Sequence, residues 1–119
     1  YIGYVENLDS VFEEADNFLN PISYPVGVRT RILTGLSYGI PIVSHKSAMY
    51  GLPELTNGHD IIYFKKPKEL VNIFKLLAND KNLYHKLSNN SFQTWVRQYN
   101  SDINARVIID QGIELINEI

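Results

Sequence analysis

The residues best suited to chemistry are Gly27, Val28, Arg29 and Thr30. A glycine lets a backbone approach a ligand closely. If a helix opens at Gly27, its free N–H groups and the positive end of its dipole can hold a phosphate. Arg29 and Thr30 add a fixed charge and a hydroxyl to the first turn. A cation there disfavours the helix itself, so an anionic partner would be its natural complement. The plainer reading makes Gly27 a turn and Arg29 a solvated side chain, and the residues alone leave both open. Tyr24 and Val26, in the loop leading to Gly27, are further candidates, as is His45, which follows the apolar pair Ile42-Val43. A lone loop histidine more often serves structure than a ligand.

Other groups offer less. Lys65-Lys66 before Pro67 read as a solvated edge, and Glu13-Glu14 as charge on an exposed helix face. His59 and His85 have no partner at metal-ligand spacing. Asn89-Asn90-Ser91 matches a glycosylation triplet but falls inside an expected helix. No Ser/His/Asp ordering, Walker loop or G-x-G-x-x-G occurs. Trp95 and Tyr99 have helical spacing and read as core rather than as a stacking platform.

The elements that must position these groups follow from patterning. Tyr1 to Val5 reads as the end of a strand, with Asn7 or Asp9 capping a helix whose apolar face is Leu8, Val11, Phe12 and Ala15. Phe18-Leu19-Asn20 is a short strand stopped by Pro21. A loop runs from Ile22 to Val26, and a second helix runs from Gly27 through Tyr38. Gly39 then sits where a helix end favours a left-handed residue. Pro41 to Ser44 is a strand of the kind buried on both faces of a parallel sheet. Lys46 to Gly58 is turn-rich, and Ile61 to Phe64 is another strand. Pro67 suits a first helical turn, with Leu70, Ile73, Phe74 and Leu77 inward. A further helix spans 81–98 with Leu83, Leu87, Phe92, Trp95 and Tyr99 inward. Ser101 or Asp102 caps the last helix, which is apolar on two sides: Ala105, Ile109, Ile113 and Ile116 on one, Ile108, Leu115 and Ile119 on the other. Short strands separated by crossovers define an α/β class: a three-layer Rossmann-like domain with a small parallel sheet, incomplete at its N-terminus, and C-terminal helices. In such sheets ligands bind beyond the carboxyl ends of the strands.

Composition agrees. The 119 residues are 45% hydrophobic and 20% charged, which fits one folded domain and excludes a disordered chain. The net charge of −2 speaks against a nucleic-acid or anionic-membrane surface. With no cysteine there is no disulfide, thiolate metal site or cysteine nucleophile. The chain opens with Tyr1, and a fragment of a longer protein is the expectation.

The stretch from Gly27 to Ser44, Gly-Val-Arg-Thr-Arg-Ile-Leu-Thr-Gly-Leu-Ser-Tyr-Gly-Ile-Pro-Ile-Val-Ser, resembles the donor-nucleotide segment of GT-B glycosyltransferases of the group 1 type. The Gly-Leu pair that follows in that family is matched by Gly51-Leu52. Gly3-Tyr4-Val5 with Leu8 and Ala15-Asp16, Asn57-Gly58-His59-Asp60, Pro67-Lys68-Glu69-Leu70 and Leu77-Ala78-Asn79-Asp80 with Leu87 are similar to its flanking motifs. Order and spacing together cover about residues 1–100.

The resemblance implies a nucleotide-sugar-binding domain whose acceptor-binding partner domain lies upstream of Tyr1, so that this segment alone is inactive. It implies that Gly27, Val28, Arg29 and Thr30 contact the diphosphate, that Thr34 faces the ribose, and that Tyr4 and Val5 lie near the base. No metal and no cofactor beyond the nucleotide-sugar substrate is implied. The last helix would cross back toward the missing domain. Many members carry two glutamates eight residues apart, where this chain has Val26 and Thr34. Family habit points to bacterial surface polysaccharide or lipopolysaccharide synthesis, in the cytoplasm or at the inner face of the membrane, with peripheral membrane association of the whole protein. The alternatives are a non-catalytic binding or scaffolding module and a nucleotide-sugar epimerase of the same architecture. Gly39-x-Pro41 followed by Gly51-Leu52 argues against an unrelated flavodoxin-like domain.

Overall fold

A computed structural model of the chain describes residues 1–24 and 30–119. Asn7 starts the first helix, α1 (Leu8–Glu14), by accepting the Asp9 N–H at 2.9 Å. The short strand β1 (Phe18–Asn20) follows, then α2 (Thr30–Ser37), β2 (Ile42–His45), a 3₁₀ turn (Lys46–Tyr50) and β3 (Ile62–Phe64). The strands form one parallel sheet in the order β1-β2-β3, with Phe18 opposite Ile42 and Val43 opposite Ile62. A 3₁₀ turn at Pro67–Glu69 opens α3 (Leu70–Asn79), and α4 (Lys81–Thr94) and α5 (Ser101–Asn117) complete the chain.

Neighbouring strand residues point to opposite faces, and β2 uses this to anchor two cores. Ile42 packs with Ile32 and Leu36 of α2 and with Ala48, Leu52, Leu55 and Ile61. Val43 packs with Phe64, Leu77 of α3 and Leu87 of α4. The expected three layers are therefore present. Gly35 makes the first layer possible: a Cβ there would stand 3.3 Å from both Ile42 Cδ1 and Phe18 Cγ. Gly39, at φ +66°, turns the chain from α2 into β2, and its carbonyl accepts the Ser88 hydroxyl.

Several expectations are corrected. Residues 1–5 form no strand, and Tyr1, Ile2 and Tyr4 are exposed. β-propensity expresses packing against neighbours, and this segment pairs with no strand among the described residues. Leu8 is exposed rather than inward. Phe92 is 39% exposed, because it lies at the margin, stacked on Trp95 at 6.1 Å. The helix expected over 81–98 ends as α at Thr94 and widens into a π-helical turn at Trp95–Tyr99. That turn sets both Trp95 and Tyr99 against the first core, and the Tyr99 hydroxyl donates to Glu54. The cap of α5 is Asn100, which accepts from Asp102 N–H at 3.0 Å, rather than Ser101 or Asp102. Every residue of α5 except Gly112 is exposed, including Ile108, Ile109, Ile113, Leu115 and Ile116. With this helix included, the molecule measures 58 × 31 × 29 Å.

Tyr63 has a buried hydroxyl with no hydrogen-bond partner among the described residues. Burial, with the nearby Asp60 charge second, pushes its phenol up to about 12. The fold thus favours the neutral phenol. That contribution is whole below pH 10, the ordinary value, and is lost as pH climbs through about 12. Replacing the orphaned hydroxyl removes its desolvation penalty, so Tyr63→Phe will stabilise the domain by about 1 kcal/mol at neutral pH. It will also remove one late phenolate transition from an absorbance titration at 295 nm. Unchanged stability or an unchanged titration would contradict this account.

Candidate functional site

The carboxyl edge of the sheet is where β1 ends at Asn20, β2 at His45 and β3 at Phe64. Its first layer is a buried polar network. Asn20 Nδ2 donates to Ser44 Oγ at 2.9 Å, and Ser44 Oγ donates to the His45 carbonyl at 3.1 Å. Ser47 Oγ donates to the Ile22 carbonyl at 2.7 Å, which ties the loop after β1 to the turn after β2. Buried polar groups satisfied in this way fix one arrangement of the two loops. Asn20 ends β1 and Ser47 lies in the 3₁₀ turn after β2, and a sequence read one element at a time does not bring them together.

His45 is half-buried, and its Nδ1 accepts the Ser47 N–H at 3.2 Å, capping the 3₁₀ turn. Its ring meets Phe64 edge-on, with centroids 5.6 Å apart. Lys46, Lys65 and Lys66, which directly follow β2 and β3, are exposed at this edge. The Glu69 carboxylate accepts the backbone N–H groups of Lys66 (3.0 Å) and Lys65 (2.6 Å), and these bonds hold its carboxyl below the usual range.

Val26, Gly27, Val28 and Arg29 lie outside the described residues, so the helix start expected there is described only from Thr30 onward. Thr30 is exposed, and Thr34, one turn along α2, is half-buried. The Thr34 hydroxyl donates to the Thr30 carbonyl at 3.1 Å, which leaves its oxygen as an acceptor. Tyr24 is exposed in a bend of the loop after β1. Tyr4 is exposed, whereas Val5 helps line a shallow cleft of about 350 Å³ with Ile2, Ser10, Val11, Glu14 and Ala15. The structure thus gathers Tyr24, Thr30, Thr34 and His45 on the elements that leave or enter the carboxyl edge. Tyr4 and Val5 belong to the segment beside α1.

Two further clefts involve residues that precede strands, at the opposite edge. One, of about 340 Å³, is lined by Asp16, Asn17, Phe74, Lys81, Tyr84 and His85 among others, and the Tyr84 hydroxyl donates to the Asp16 carbonyl across it. The other, of about 250 Å³, borders Asp60, Thr94 and Arg97. Among the described residues no group of three or more His, Asp or Glu is arranged to hold a metal ion, and no helix is long and apolar enough to cross a membrane.

Solved structures share this architecture. The C-terminal domain of a glycosyl transferase group 1 family protein, LpcC from Francisella tularensis, is similar with a TM-score of 0.69 at 14% identity, over 85% of this chain and 52% of that one. Anabaena HepE solved with UDP-glucose is similar with a TM-score of 0.71 at 16% identity, over 94% of this chain and 30% of that one. HepE solved with UDP gives 0.77 at 16% identity, over 99% and 32%. This chain therefore spans about half of the LpcC domain and about a third of HepE. No family model matches the chain, and no curated protein matches its sequence. What these likenesses establish is the fold: the α/β architecture expected from the resemblance to group 1 glycosyltransferases, with a small parallel sheet and C-terminal helices.

Proposed function

We propose that the chain is the donor-binding portion of a glycosyltransferase that moves a sugar from a nucleotide-sugar to an acceptor. One coincidence carries this reading. In sequence the Gly27 to Thr30 segment falls between the carboxyl end of β1 and the body of α2, and a protein of the same fold has been solved with UDP. Helix-start N–H groups together with Arg29 would neutralise the charge that builds on a departing nucleoside diphosphate. Lys46 adds positive charge at the same edge. Thr34 would offer a sugar hydroxyl an uncharged partner where many relatives place a glutamate. The acceptor would be held by a domain upstream of Tyr1, in surface polysaccharide or lipopolysaccharide synthesis at the inner face of a membrane.

Calorimetric titration of the chain with UDP, GDP and ADP and their glucose conjugates tests the reading. Saturable heat with at least one of the three nucleotides is expected, and silence with all of them would overturn it. Val26 and Thr34, standing where glutamates are usual, favour a second reading in which the fold binds without catalysing. Nucleotide-sugar binding by the full-length protein without sugar transfer would select that reading.

A further inference from the structure

We propose that His45 donates its Nε2–H to a diphosphate oxygen of the bound nucleotide-sugar, an assignment that rests on the function proposed above. His45 ends the middle strand, at the edge where parallel sheets receive ligands. Its Nδ1 is occupied as an acceptor by the Ser47 N–H at 3.2 Å. A neutral imidazole carries one proton, so that proton sits on Nε2. Nε2 makes no hydrogen bond among the described residues, and the residue is only half-buried. The ring is held rather than free, with Phe64 meeting it at 85° and its Nδ1 bonded to the Ser47 N–H. Its backbone carbonyl accepts from the Ser44 hydroxyl, and Ser47, whose N–H it caps, donates its hydroxyl to the Ile22 carbonyl. Ile22, in the loop after β1, and the His45 ring are therefore joined through Ser47. An anionic oxygen is the strongest acceptor such a donor can find, and the exposed Lys46 next in sequence adds positive charge. These facts favour the diphosphate over the sugar.

The test separates capping from ligand contact. His45→Asn keeps a side-chain oxygen able to accept the Ser47 N–H and removes the distant donor. Its melting midpoint should match that of the unsubstituted chain, while UDP and UDP-glucose should both bind about 5–10-fold more weakly by calorimetry. Unchanged binding of both would overturn the proposal, and weakening of UDP-glucose alone would overturn the diphosphate assignment by moving the contact to the sugar. If the unsubstituted chain binds no nucleotide, the functional reading itself fails, a result distinct from either. Imidazole ¹⁵N spectra of the unsubstituted chain give a second measure that needs no variant. They should show an Nε2-protonated ring whose Nε2 signal moves on adding UDP, and an Nδ1-protonated ring or an unmoved signal would count against the proposal.

Discussion

Leu36→Ala will cost the domain about 2–5 kcal/mol. Leu36 is fully buried on α2, within the core built on Ile42, Leu52 and Leu55. Truncation removes apolar contact and leaves a void unless α2 can move inward. Gly35 argues that it cannot, since the space for its missing Cβ is already bounded at 3.3 Å by Ile42 and Phe18. The loss should fall in the upper part of the range, a large share of the roughly 5–15 kcal/mol that holds such a domain folded. In urea the midpoint should drop by about 1–2 M or more, with the slope unchanged. Leu36→Met, which nearly conserves volume, should cost less than about 1.5 kcal/mol. A loss under about 1 kcal/mol for the alanine variant would mean that this face of the sheet is not packed as described.

The second large effect is expected at Asp60, only 3% exposed. One carboxylate oxygen accepts the Thr56 N–H at 2.6 Å and the other accepts the Thr94 hydroxyl at 2.9 Å. The side chain thus bolts the turn before β3 to the end of α4. Asp60→Ala strands both donors, and an unsatisfied buried group costs about 1–3 kcal/mol, so a total near 2–3 kcal/mol is expected. Asp60→Asn should recover most of it: its carbonyl still accepts from Thr56, and its amide can donate to the Thr94 oxygen. Thermal melts of the two variants side by side check this. Equal losses would show that charge, rather than hydrogen bonding, is what the site requires.

Much of this architecture was legible from residue order, for local reasons. Pro21 ends β1 because it cannot donate to a ladder, and β2 was visible because Ile42 and Val43 must both be apolar to serve two cores. Gly39 announced its left-handed turn, and Pro67 its first helical turn. The failures share a different cause. Tyr1 to Val5 has the side chains of a strand, but pairing depends on neighbours that five residues do not encode. Asn100, Ser101 and Asp102 are all competent caps. The choice fell to Asn100 because its backbone, at φ −65° and ψ 119°, is where the preceding helical path stops. Gly27 and Arg29, which residue type alone marks as candidates, lie outside the described residues. The Asn20, Ser44 and Ser47 network is a product of strand register and became visible only when β1 and β2 lay side by side.

The widened turn at Trp95–Tyr99 makes chain length there a matter of phase. Each residue advances a regular helix by about 100°. A π turn takes up one residue more than a regular turn, so the number of residues here sets where Tyr99 meets the core and Glu54. It also sets where α5 begins. In this stretch the count of residues governs direction as strictly as their identity governs packing.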